Sequence, residues 1–148
     1  MLFAGNDMKL KMENIIFPNI RIIVAPDVYK RVSKGKNLNI SIKLKNNHVP
    51  VSQKGKNYQV QMDLSIENKE KDLIIEAIGV ASFLLDELQD EEQKEFALNV
   101  NCCAIMFPYI REKITYLTQS AGLEPLILES FNFVDRYNKS KQQEESDT

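Results

Sequence analysis

From Asn37 to Lys45 apolar and polar residues alternate without a break. Leu38, Ile40, Ile42 and Leu44 fall on one side, and Asn39, Ser41, Lys43 and Lys45 on the other. A period of two predicts a half-buried strand. The same period returns between Asn57 and Asn68, with Tyr58, Val60, Met62, Leu64 and Ile66 on one face. Asp72 to Leu85 is apolar on both faces over much of its length, which predicts a central strand covered from two sides. Met8 to Val24 also alternates, but Pro18 interrupts it; a proline cannot donate to a ladder, so this is read as an edge strand or a strand broken in two. Ala25-Pro26-Asp27 signals a turn, and the basic, irregular stretch from Val28 to Asn37 reads as a loop. Asn46 to Lys56, with its Asn-Asn pair, Pro50 and Gly55, reads as a long hairpin connection.

The period then changes. Phe96, Val100, Cys103, Phe107, Ile110, Ile114 and Leu117 recur at spacings of three and four, which places them on one side of a long helix. Asp86 to Glu95 supplies its beginning, where the acids suit the positive end of the helix dipole. Pro108 lacks an amide hydrogen and crowds the preceding turn, so a kink is expected near Phe107. Gly122 is a natural left-handed stop. Leu123 to Glu129, with Pro125, reads as an extended connection, and Phe131 to about Gln143 as a second helix. The expected fold is α+β: a four-stranded antiparallel sheet packed by a long kinked helix and a second, C-terminal helix. Its single domain is expected over residues 1–138, followed by a polar, disordered tail over 139–148.

Composition narrows the function classes. With 43 % apolar and 27 % charged residues the chain is close to the globular average, and a length of 148 residues suffices for a core without disulfides or metals. The apolar runs are far shorter than the ~20 residues of a membrane span, and the first ten residues lack the apolar core of a signal peptide. A cytoplasmic protein without membrane insertion is the expectation. Residues 1–60 hold eleven Lys and Arg against three acids, a balance of +8, and residues 61–148 a balance of −10. The basic residues are scattered rather than clustered with stacking aromatics, which argues against nucleic acid as a partner. Cys102 and Cys103 are sequence neighbours without CxxC spacing and read as small buried hydrophobes. His48 is the only histidine, so no metal site is expected. Without a phosphate-cradling glycine loop or a general base beside Arg111 and Glu112, no enzymatic activity and no cofactor are expected.

The run Met106-Phe107-Pro108-Tyr109-Ile110-Arg111-Glu112, followed by Gly122-Leu123, Pro125-Leu126 and Asn132-Phe133, resembles the SecB export-chaperone family over most of residues 8–138. The resemblance implies a non-enzymatic molecular chaperone that holds unfolded or precursor polypeptides in apolar grooves, assembled as a homotetramer, a dimer of dimers. Carried onto this chain, the groove residues are Val28, Tyr29 and Val32 from the loop, Leu123 and Leu126 from the connection, and Phe131, Phe133 and Tyr137 from the last helix. Core packing is the competing account of each aromatic. The long helix would serve the sheet and the subunit interface together, with Val100, Cys103, Phe107, Ile110 and Ile114 at that interface. One departure concerns partners. Family members carry acids on the outward face of the strand matching Leu38 to Lys45, where the basic tail of the SecA translocation ATPase docks. Here that row holds Lys43 and Lys45, a cationic face that repels a basic tail, although Asp63 and Glu67 on the neighbouring strand offset it in part. A chaperone dedicated to one partner, such as the antitoxin of a toxin-antitoxin pair, is the alternative.

Overall fold

The computed structural model describes residues 9–51, 56–86 and 90–146. Four strands, β1 (Lys9–Val24), β2 (Ile40–Pro50), β3 (Asn57–Asn68) and β4 (Leu73–Asp86), make one antiparallel sheet in the order β1-β4-β3-β2. The interior strands are the two whose sequences carry the most inward apolar residues. β1 is an edge strand, as Pro18 requires. It remains continuous, accommodating the proline with a register shift between Ile16 and Asn19 and a second shift between Met12 and Asn14. β2 begins later and runs further than expected. The residues assigned to a hairpin connection pair as far as Pro50 opposite Tyr58, because alternation continues through Asn46 and His48 with polar side chains on the inner row. Gly55 lies outside the described residues.

A helical layer covers the inner face of the sheet. α2 (Glu91–Phe96) is capped by the Asp90 carboxylate, which accepts from the Gln93 amide at 2.7 Å. It passes through a π-helical turn (Ala97–Asn101) into α3 (Cys102–Ser120). The expected helix start at Asp86 is not met, since β4 runs through Asp86 and the first helical turn follows Asp90. The departure from regular α geometry falls at Ala97–Asn101, whereas the helix continues through Pro108. Gly79 of β4 lets the helix come close: a Cβ there would stand 3.3 Å from Phe17 and 3.5 Å from Ile110. Gly122 ends the helix at φ +79, the left-handed conformation that glycine adopts without cost.

One expectation is corrected by the local structure. The stretch after Pro26 is a helix, α1 (Pro26–Ser33), rather than an irregular loop. Proline pre-sets the first turn, where its missing amide hydrogen costs nothing. Asp27 stands in the first turn and Lys30 and Arg31 in the last, each favourable to the helix dipole. The final helix, α4 (Phe133–Ser146), carries the polar residues after Asn138 in helical form; Lys139 pairs with Asp135 at 3.1 Å one turn earlier.

Candidate functional site

The segment between Gly122 and Phe133 crosses the inner face of the sheet as a strap. Its backbone is held at Leu126 from both sides. The Leu126 amide donates to the Thr118 hydroxyl at 2.9 Å, and the Thr115 hydroxyl donates to the Leu126 carbonyl at 2.8 Å. Leu128 is buried, and Phe131 and Phe133 close an edge-to-face cluster with Phe107 at ring separations of 5.2 and 5.9 Å. Between these anchors the strap stands clear of β2. Two adjoining apolar recesses result, of about 330 Å³ and about 390 Å³. The first is lined by Val32, Leu38, Ile40, Leu123 and Leu126, and the second by Ile42 and the strap from Leu126 to Phe131. Leu126 borders both, so they form one trough along the inner row of β2.

α1 makes one end of that trough, and three contacts place it. Val28 is wholly buried in the core. The Tyr29 hydroxyl donates to the carbonyl of Ala121, which joins α1 to the end of α3 where the strap begins. Arg31 donates twice to Asp72, at 2.7 and 2.9 Å. The Asn68 amide, which also donates to Asp72, and then the Arg31 guanidinium hold the Asp72 carboxyl below its ordinary range.

The eight groove residues expected from the sequence therefore divide. Val32, Leu123, Leu126 and Phe131 line the trough. Tyr29 is 41 % exposed and braces α1. Val28 and Phe133 are buried and offer no surface to a ligand, because α1 and α4 each turn one apolar side chain into the core. Tyr137 stacks edge-on against Phe96 at 5.9 Å near His48, Glu95 and Lys141, and lines not the trough but a neighbouring polar cavity that Phe131 also borders. Leu38, Ile40 and Ile42 were not among the expected groove residues. Their alternation marked them as inward, but nothing in it showed that no helix would cover them.

The five residues expected at a subunit interface lie on the sheet side of the helix. Val100, Cys103, Phe107, Ile110 and Ile114 are all buried within the subunit. A single apolar stripe packs against only one surface, and here that surface is the sheet. The side of α3 left free carries Ala104, Pro108, Tyr109, Glu112 and Tyr116. Burial pushes both thiols up, Cys103 to about 12, so neither is a reactive nucleophile at neutral pH. Among the described residues no grouping of three or more His, Cys, Asp or Glu side chains could hold a metal ion, and no helix is long and apolar enough to cross a membrane. On the outer face of the sheet Lys45 stands opposite Asp63 and Ser41 opposite Glu67, while Arg21 pairs with Glu76 at 2.8 Å. The signs on this face are mixed.

Residues 19–144 match the family model for the preprotein translocase subunit SecB. Similar proteins include a protein-export protein SecB of Anaplasma phagocytophilum, 35 % identical over 127 residues (78 % of this chain and 80 % of that protein). Another is that of Dichelobacter nodosus, 32 % identical over 136 residues (88 % and 83 %). Among solved structures, a SecB-like chaperone of Mycobacterium tuberculosis in complex with a ChAD peptide from an antitoxin superposes with a TM-score of 0.63. It is 18 % identical and covers 83 % of this chain and 88 % of its own. The fold of the two is the same. The order of strands, the proline-containing helix and the downstream motifs thus have one common source: this chain belongs to the SecB family.

Proposed function

We propose that this protein is a chaperone that holds unfolded or precursor polypeptide in the trough beside β2 and keeps it soluble. The observation that carries this reading is a concave apolar trough left open between β2 and the strap. Ile40, Ile42 and Val32 are 38–40 % exposed there, beside a strap whose Ile127 is 73 % exposed. Contacts of this kind bind by area, at ~25 cal/mol per Å² of apolar surface removed from water, and make few demands on sequence. An unfolded client gives up chain entropy on binding, so several troughs acting together favour retention. The finer picture is a cytoplasmic homotetramer, a dimer of dimers, without enzymatic activity. Its subunits meet through the free side of α3, at Tyr109 and Tyr116, because the other side is spent on the sheet. Sedimentation at several concentrations tests the assembly, and a monomer throughout counts against it.

The chaperone reading is tested by diluting a chemically unfolded client into buffer with and without the protein and following light scattering. Suppression at equimolar tetramer is expected; scattering that is unchanged refutes it. The mixed charges on the outer face favour a second reading, in which the chaperone serves one partner such as an antitoxin rather than the SecA ATPase. The M. tuberculosis neighbour, solved in complex with an antitoxin peptide, supports that variant by analogy. A client-range comparison separates the two, since a dedicated chaperone leaves generic unfolded chains unprotected.

A further inference from the structure

β2 is an edge strand, and its two halves differ. Arg136 of α4 donates to the Leu44 carbonyl at 2.8 Å and to the Asn46 side chain. This covers the distal half of the edge with a guanidinium. The same bond shows that Leu44 turns its carbonyl toward the open side, and by the two-residue repeat the peptide groups of Ile40 and Ile42 face the same way. Among the described residues no helix covers them there. The inner row of this free half, Ile40 and Ile42, is the wall of the apolar trough. The outer row is Ser41 and Lys43, continued by Lys45. Across the trough the strap carries two exposed acids, Glu124 and Glu129.

We propose that the trough takes an extended segment in which apolar and acidic residues alternate, added to the Ile40–Lys43 edge with its apolar row in the trough and its acidic row beside Lys43. This rests on the reading of the trough as a polypeptide site and adds what that site selects. A peptide laid on a strand edge gains main-chain hydrogen bonds without regard to sequence, while alternate side chains meet opposite faces. One row here is apolar; the other presents Lys43 and Lys45 at the edge itself, with the acids Asp63 and Glu67 one strand further in. The acidic row stands directly opposite Lys43 and diagonally from Lys45, both within the reach of cross-strand pairs. A slip of one residue would turn the acids toward Glu124 and Glu129 and the apolar row toward water, so both walls favour the same register. Pairing with the β2 edge of a second copy is opposed, because it sets lysine rows of the same sign against each other.

The test compares three labelled twelve-residue peptides by fluorescence anisotropy on the intact protein. One alternates leucine with glutamate, one groups the same residues into two blocks, and one alternates leucine with lysine. The alternating acidic peptide is expected to bind about tenfold tighter than either of the others, the scale of two exposed ion pairs. In K43E the preference between the two alternating peptides is expected to shrink or reverse, and Ile42→Asp is expected to abolish binding of all three. Equal affinities for the two alternating peptides, or a preference unchanged in K43E, overturn the proposal while leaving the chaperone reading intact, provided that an unfolded client is still held. If neither peptides nor unfolded client bind, the chaperone reading fails and the proposal falls with it. A change of oligomer size in K43E without a change in peptide preference would assign the edge to a second copy, and this too overturns it.

Discussion

β2 and β3 lie side by side and carry the same alternation, yet their inner rows meet opposite fates. Val60, Met62, Leu64 and Ile66 of β3 are sealed beneath the helical layer, at 0–1 % exposure, whereas Ile40 and Ile42 of β2 remain 38–39 % exposed. α3 lies over β4, β1 and β3; the helical layer meets the distal half of β2 through Glu95, Asn99 and Arg136, and over Ile40 and Ile42 it is the strap that borders the opening. An amphipathic strand is thus no more than an offer of apolar surface. Whether that surface becomes core or binding site depends on how far the covering layer extends.

The contrast can be broken most severely from the sealed side. Ile110 is fully buried against Gly79, and Ile110→Ala is expected to cost about 2–5 kcal/mol through lost contacts and an unfilled cavity. Urea unfolding would show it as a fall in midpoint at constant slope. A smaller loss is expected where the strap is fastened. Thr118→Val keeps the shape but leaves the Leu126 amide without its acceptor, at about 1–3 kcal/mol. Hydrogen exchange at Leu126 should accelerate more than exchange in β3.

The clasp on α1 responds to pH. Because the folded Asp72 carboxyl titrates below its unfolded value of about 3.9, its contribution is fully present above that value. It is lost as pH falls through the lower folded one. The melting temperature of the native protein should exceed that of Asp72→Asn at pH 7, with the gap closing below about pH 4. A gap independent of pH would show that the ionised carboxylate is not what matters. The smallest effect on stability belongs to the open side: Ile42→Asp, at a half-exposed strand position, is expected to cost about 1 kcal/mol, the span of strand preference between such residues. Client holding in the scattering assay should nevertheless be lost, which makes this substitution the sharpest separation of the two strands.

Much of the architecture was legible before any coordinates. β3 falls at the residues its alternation marked, Pro18 puts β1 at an edge, and Gly122 ends the long helix. α1 was less legible, because eight residues give too few turns for a period of 3.6 to stand out from an irregular loop. β2 reads as ending early because the inner row turns polar at Asn46 and His48. Those side chains answer the polar groups of Asn99 and Glu95 on the helical layer, a match that periodicity does not contain. The same limit applied to the site. Val28, Phe133 and the five apolar residues of the long helix are hydrophobic in sequence whether they meet a client, a second subunit or their own sheet.

By itself the sequence determined which residues are apolar, with what period, and where the chain must stop or turn. Period, proline and glycine act through local backbone geometry, so the four strands, the long helix and the family motifs can be read from it. Only the tertiary structure decided which apolar surface stays open, since burial depends on what arrives from elsewhere in the chain. The strap is fastened at Leu126 by threonines eight and eleven residues earlier and stands off β2, leaving Ile40 and Ile42 as the floor of a trough.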